Sequence, residues 1–361
     1  MKNKSASHSA LIVLFTVLAF GVYSSPARAQ ASTNWRVTTG DWFTDANWSN
    51  HVPTLLTDAF INDAGKAQIN GPGANAKSLT LGLNQGDSGS VTVDGTNPND
   101  GSLSVPDDCT DQFGIFPGLI SVGYSGTGAL LITNGGTVAS RWGDIAATAN
   151  TQPPNSNGSV TVSGAGSTWI ISSSCGNPAK LFIGGSETEN GDDPGGTALL
   201  NVTNGGEVIV DNQTNQASIH VGPSGTLAGN GNIKTVYHAP DGLDTVVAVS
   251  GTLAPSGTLS IDGDLFLNGI ATTLCSVIPT AADMVEVSRT GNLGGRLSVI
   301  MTGTFPGDTT RYTLLHADGG LPNNTTFQSV SIKYPTNQGF TPHITYDYVA
   351  NSVYLDLVFN E

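Results

Sequence analysis

The tetrapeptide Gly86-Asp87-Ser88-Gly89 matches the nucleophile signature of chymotrypsin-like proteases, a chemistry that also needs a histidine and an aspartate brought beside the serine. His51 is the single histidine between the leader and this string, and the equivalent of Ser88 in a later repeat is Asn157. A position that accepts asparagine is read as a turn, not a nucleophile. The remaining histidines of the mature chain, His220, His238, His316 and His343, share no element at metal-ligand spacing with each other or with His51. His220 aligns with Ser121 and Phe182 at an outward strand position, which predicts solvent exposure.

Carboxylates cluster in two loops, Asp107, Asp108 and Asp111 in one and Glu187, Glu189, Asp192 and Asp193 in the other. Oxygen ligands of this kind could hold Ca²⁺, but no G-G-x-G-x-D repeat accompanies them, so they read as solvated acidic loops. A polysaccharide lyase needs a cation against the uronate and a base for its proton. The repeat region offers only Lys77, Arg141, Lys180 and Lys234, which argues against a lyase. A glycosidase with two carboxylates about 5 to 9 Å apart stays open as the alternative. No residue is assigned a catalytic, cofactor-binding or metal-ligating role.

Trp35, Trp42 and Trp48 bring three of the five tryptophans close together. They suit either a cover over the end of a stack or a sugar-stacking platform, and the cover is the expectation. Three cysteines allow at most one bridge. Cys109 and Cys175 lie two repeats apart, roughly 10 to 20 Å along a stack, which weighs against a disulfide and leaves their pairing open. Cys275 sits between apolar strand residues and reads as a small buried side chain.

The elements that would position these residues repeat. Ile120 to Val138, I-S-V-G-Y-S-G-T-G-A-L-L-I-T-N-G-G-T-V, returns at Leu181 to Val208 as L-F-I-G followed by A-L-L-N-V-T-N-G-G-E-V. Weaker copies begin at Leu79, Ile145 and Ile219, giving five units. Each is a short strand with apolar residues two apart, a turn, and a second alternating strand, a period that belongs to strands. One such unit exposes as much as it covers, so units must stack. Stacking puts Val91, Leu130, Val160, Leu200 and Leu227 in one inward ladder and Leu79, Ile120, Ile145, Leu181 and Ile219 in another. Uneven spacing between units fits a solenoid better than a propeller. The expected fold is all-β, a parallel β-helix, with an aromatic N-terminal cap over 30–74, repeats over 75–270 and a C-terminal β cap or small β-sandwich end over 271–361.

Lys2 and Lys4, an apolar run from Ala10 to Val22 and Ala27-Arg28-Ala29 have the layout of a signal peptide over 1–29. The run is shorter than the roughly 20 residues that span a bilayer, and no comparable run follows. Export of a soluble chain is the expectation. Loss of Lys2, Lys4 and Arg28 would take the formal charge from -15 to -18, which makes nucleic acid an unsuitable partner. Only 11% of residues are charged while glycine numbers 46, so Ser, Thr, Asn and Gln must supply the surface polarity of a turn-rich β protein. Such surfaces also suit sugars.

The stretch with I-T-N-G-G-T-V and the stretch G-S-V-T-V-S-G-A-G-S-T-W, Gly158 to Trp169, resemble the repeat associated with bacterial autotransporter passengers and PEP-CTERM proteins. The tryptophan-rich opening, G-T-L-A-P-S-G-T-L from Gly251, and Tyr312-Thr313-Leu314-Leu315 extend that resemblance over nearly all of the mature chain. It implies a right-handed parallel β-helix at a cell surface and implies no activity. Neither a membrane barrel nor a V-P-E-P anchor motif is found, which leaves the mode of attachment open. The expected role is structural or adhesive, with an extracellular glycan or a cell-surface component as partner; the alternative is a polysaccharide-acting enzyme on the same fold.

Overall fold

The computed structural model describes residues 31–96, 100–106, 118–147, 156–173, 178–188, 191–212, 217–237, 246–305, 310–336 and 339–359. Three large sheets hold all the described strands but one two-stranded hairpin, and parallel pairing dominates each. One turn of the chain shows the plan. Leu119–Val122 lies in the first sheet, Thr127–Thr133 in the second and Thr137–Ser140 in the third. The chain then returns to the first sheet as Trp142–Ile145, parallel to Leu119–Val122 and beside it. Repetition of this turn makes a three-sided parallel β-helix, in sheets of ten, twelve and eleven strands called I, II and III below.

The repeated T-N-G-G string is a corner. Asn134 and Gly135 have φ of 54° and 87°, and Asn204 and Gly205 repeat this at 54° and 79°. Two successive left-handed residues turn the chain sharply, and asparagine and glycine are the residues that tolerate the region. The second glycine is required by proximity, because a Cβ on Gly136 would lie 2.5 Å from the Val93 carbonyl of the preceding rung. Asn134 also ties rungs together, donating from Nδ2 to Asp94 Oδ1 at 3.1 Å.

Inward positions alternate as the period-2 pattern predicts. Leu130 pairs in register with Val91 and Val160, Val160 with Leu200, and Leu200 with Leu227, and each is buried. The second expected ladder needs a correction. Ile145 stands between Val122 and Ile183, and the place between Ile120 and Leu181 belongs to Gly143. The unit is shifted because Ala146, with φ of 46°, takes the left-handed corner that Gly123 and Gly184 occupy in neighbouring rungs. The missing side chain at Gly143 is compensated across the core: a Cβ there would meet the Trp169 ring at 2.7 Å. The Trp169 indole N–H is satisfied inside the core by Ser140 Oγ at 3.0 Å.

The sheets run through both segments expected as caps. Thr57–Ile61, Gly65–Ile69 and Ala74–Asn75 make a full turn of the coil that lies almost wholly in 30–74. Parallel pairing also continues past 271, as far as Ser329–Lys333 in sheet II and Thr310–Ala317 in sheet III. Antiparallel closure is largely confined to Phe340–Asp347 and Ser352–Phe359. At the other end Trp35, Trp42 and Trp48 are 6%, 0% and 2% exposed and meet edge to face at 4.9 and 4.8 Å. Trp48 Nε1 donates to the Trp42 carbonyl at 2.8 Å. These rings are core, and no sugar can stack on them.

Candidate functional site

Most side chains on the outer face of a solenoid sheet meet solvent, so burial there marks a special place. On sheet I the outward positions of three successive strands, Trp142–Ile145, Lys180–Ile183 and Ser218–Val221, align as Trp142, Lys180 and Ser218 in one row and Asp144, Phe182 and His220 in the next. Parallel register stacks each row at strand spacing, about 4.8 Å. The six side chains therefore form one patch.

Aromatic rings run through it. Trp142 and Phe182 have ring centroids 5.8 Å apart, and Phe182 and His220 stack at 5.2 Å with an interplanar angle of 22°. Lys180 places its Nζ 5.9 Å from the Phe182 ring centre, where the ring quadrupole attracts a cation. Phe182 is buried, whereas Trp142 and His220 are half-buried at the two ends of the column. His220 Nε2 lies 3.1 Å from Ser218 Oγ. The register of His220 with Phe182 is as expected, but full exposure is not: an aromatic neighbour one rung away gives the imidazole a surface to stack on.

Asp144 is the chemically unusual member. Its Oδ1 is closed off from solvent and has no hydrogen-bond partner. Loss of solvent disfavours the anion and pushes the carboxyl up to about 7, with the Trp142 indole pulling the other way. A carboxyl that holds its proton near neutral pH can donate a hydrogen bond, which an ordinary aspartate cannot. Sequence reasoning passed over Asp144 because a lone acid in W-G-D-I carries no motif. The signal available was its alignment, once the unit is shifted, with Phe182 and His220.

Other candidates disperse. Ser88 opens a strand of sheet II in register with Thr127, as a turn-flanking residue would. His51 pairs with Asp45 at 3.0 Å on the exposed surface of the first turns. His316 bonds Ser352 and Asp318, and His343 is exposed in the closing hairpin. Lys234 approaches Asp262 at 4.0 Å on sheet III. Glu187, Asp192 and Asp193 belong to a small antiparallel hairpin, Gly185–Thr188 with Gly191–Pro194, where Glu187 pairs with Asp192. Asp107, Asp108, Asp111, Glu189, Cys109, Cys175 and His238 lie outside the described residues. Among the described residues no group of three or more His, Cys, Asp or Glu could hold a metal ion. Cys275 is buried and its thiol is pushed up to about 12, which leaves it inert. No described helix is long and apolar enough to cross a membrane. No family model matches the chain, and no curated protein matches it.

Proposed function

We propose that the chain is an exported β-solenoid of adhesive role, displayed at a bacterial surface in the manner of the passengers it resembles, and that it binds extracellular glycan on sheet I without catalysis. The signal-peptide layout of 1–29 and the repeat wording support export and display. The observation that carries the glycan reading is the Trp142–Phe182–His220 column with Asp144, Lys180 and Ser218 beside it. Sugar rings offer apolar C–H faces to aromatic rings and hydroxyls to polar groups, and this patch supplies both kinds of partner. Phe182 spaces Trp142 and His220 two strands apart, roughly 9 to 10 Å. That separation suits an extended chain lying along the stack.

A glycan array and a cell-binding screen on the purified protein test the proposal. The expected result is binding that falls at least about tenfold in Trp142→Ala and His220→Ala while far-UV circular dichroism is unchanged. Absence of binding, or binding untouched by both substitutions, overturns it. Asp144 supports the alternative, a polysaccharide-acting enzyme, because a carboxyl protonated near neutral pH is what a general acid requires. Turnover of a polysaccharide that is lost in Asp144→Asn would replace the binding reading with the enzymatic one.

A further inference from the structure

The three outer faces of the helix differ in charge. Sheet III presents Glu207, Asp211, Lys234, Asp262 and Glu286 outward, and sheet I presents Asp144, Lys180 and Asp264. Sheet II differs over the seven neighbouring strands that begin with Ser88–Asp94 and end with Thr272–Ile278. Every outward position there is Ser, Thr, Asn, Ala, Leu or Ile, with the exception of Asp94 at one corner. The Asp94 carboxylate is engaged by Thr96 and Asn134, which hold it below the usual carboxylate range. Parallel register keeps the face regular; T-N-G-G corners leave it at Asn134 and Asn204, and at one rung the hairpin Gly185–Pro194, with its acids, stands at the border with sheet I. Three leucines, Leu131, Leu199 and Leu274, stand out from it at 37%, 36% and 37% exposure.

We infer that this face of sheet II is where a second copy of the chain docks, sheet against sheet. Charge selects the occupant. The chain carries a formal charge of -15, so two copies repel over most of their surfaces and meet at least cost where outward acids are fewest. Sheet II is that surface, and a face free of charge is neutral towards its own copy. Area agrees. Seven strands about 4.8 Å apart span roughly 29 Å, and strands of four to seven residues, about six on average, span about 20 Å. The face then offers roughly 500 to 700 Å² per copy, which clears the total of about 1,000 Å² that a specific interface needs. The edge strand at Ser329–Lys333 is one strand wide and falls short of it. Two twisted sheets pack about 10 Å apart, a gap that leucine and threonine side chains from both faces fill. This inference does not depend on the glycan reading, which concerns sheet I.

Sedimentation velocity on the purified protein decides it. The expected result is a species of twice the chain mass, with association strengthened by added salt as the remaining acids are screened. Leu199→Glu combined with Asn201→Glu places four acids opposite one another in the dimer and is expected to abolish it. Asn201→Lys, of opposite sign, is expected to do the same, so that a misfolded first variant does not decide the question. Ile170→Glu, outward on sheet III, is expected to stay dimeric. A wild-type monomer at about 100 μM, or a dimer that survives both sheet II variants while their circular dichroism stays native, overturns the inference.

Discussion

At the scale of single residues, Asp144 couples stability to pH. In the unfolded chain its carboxyl ionises near the ordinary value of 3.8, whereas in the folded chain it is pushed up to about 7. Between those values the folded state holds a proton that the unfolded state has released. Stability therefore falls as pH rises through this window and levels off above it. Asp144→Asn removes the ionisation and should gain on the wild type as pH rises from 4 to 8. The expected gain is roughly 2 to 4 kcal/mol, discounted because part of the side chain reaches solvent. Urea melts at a series of pH values measure it, and a constant difference between the two proteins would mean that the carboxyl is hydrated in solution.

At the scale of the element, an inward residue of sheet II and an outward residue of sheet III carry the in-and-out argument. Val160 is fully buried between Leu130 and Leu200, while Thr137 on sheet III is outward and half-buried. Val160→Asp buries a charge without a partner and should cost at least about 4 kcal/mol, whereas Thr137→Asp should stay within about 0.5 kcal/mol. Thermal melts of the two variants should separate widely, and equal melts would refute the assignment of inward positions. This ladder was readable because G-S-V-T-V and A-L-L-I-T keep both alternation and flanking glycines. The Ile145 unit is misaligned in the sequence for a physical reason: Thr148 stands where the neighbouring units have their corner glycine, whereas the left-handed corner is held by Ala146. Turns outside the repeats were hidden differently. Ala31–Asn34 and Arg296–Met301 pair by the same backbone geometry but fall outside the five repeated units. The third strand of each turn, such as Thr137–Ser140, is short enough to read as the tail of a corner. The sheet I patch was least legible, because its members come from three strands far apart in the chain and meet only through register.

At the scale of the whole molecule, each turn touches only its neighbours, so stability behaves as a sum of turn and interface contributions along one axis. The ends then matter out of proportion to their size. An end turn has one neighbour, and its inward side chains face water unless something covers them. At the N-terminal end Trp42 and Trp48 supply that cover, fully or almost fully buried and joined by a hydrogen bond. Trp42→Ala removes the larger part of it and should cost about 3 to 5 kcal/mol, the usual range for a buried aromatic ring. In a one-dimensional stack the loss should not be shared evenly. Amide hydrogen exchange should quicken most in Ala31–Asn34 and Thr57–Ile61, less in Ser78–Leu81, and little in Val246–Val249 near the far end. Val160→Asp, in the middle of the stack, should instead quicken exchange in the turns on both of its sides. Uniform quickening throughout sheet I after Trp42→Ala would show that the helix unfolds as one cooperative unit, and that the cover acts on global stability and not on the fraying of its own end.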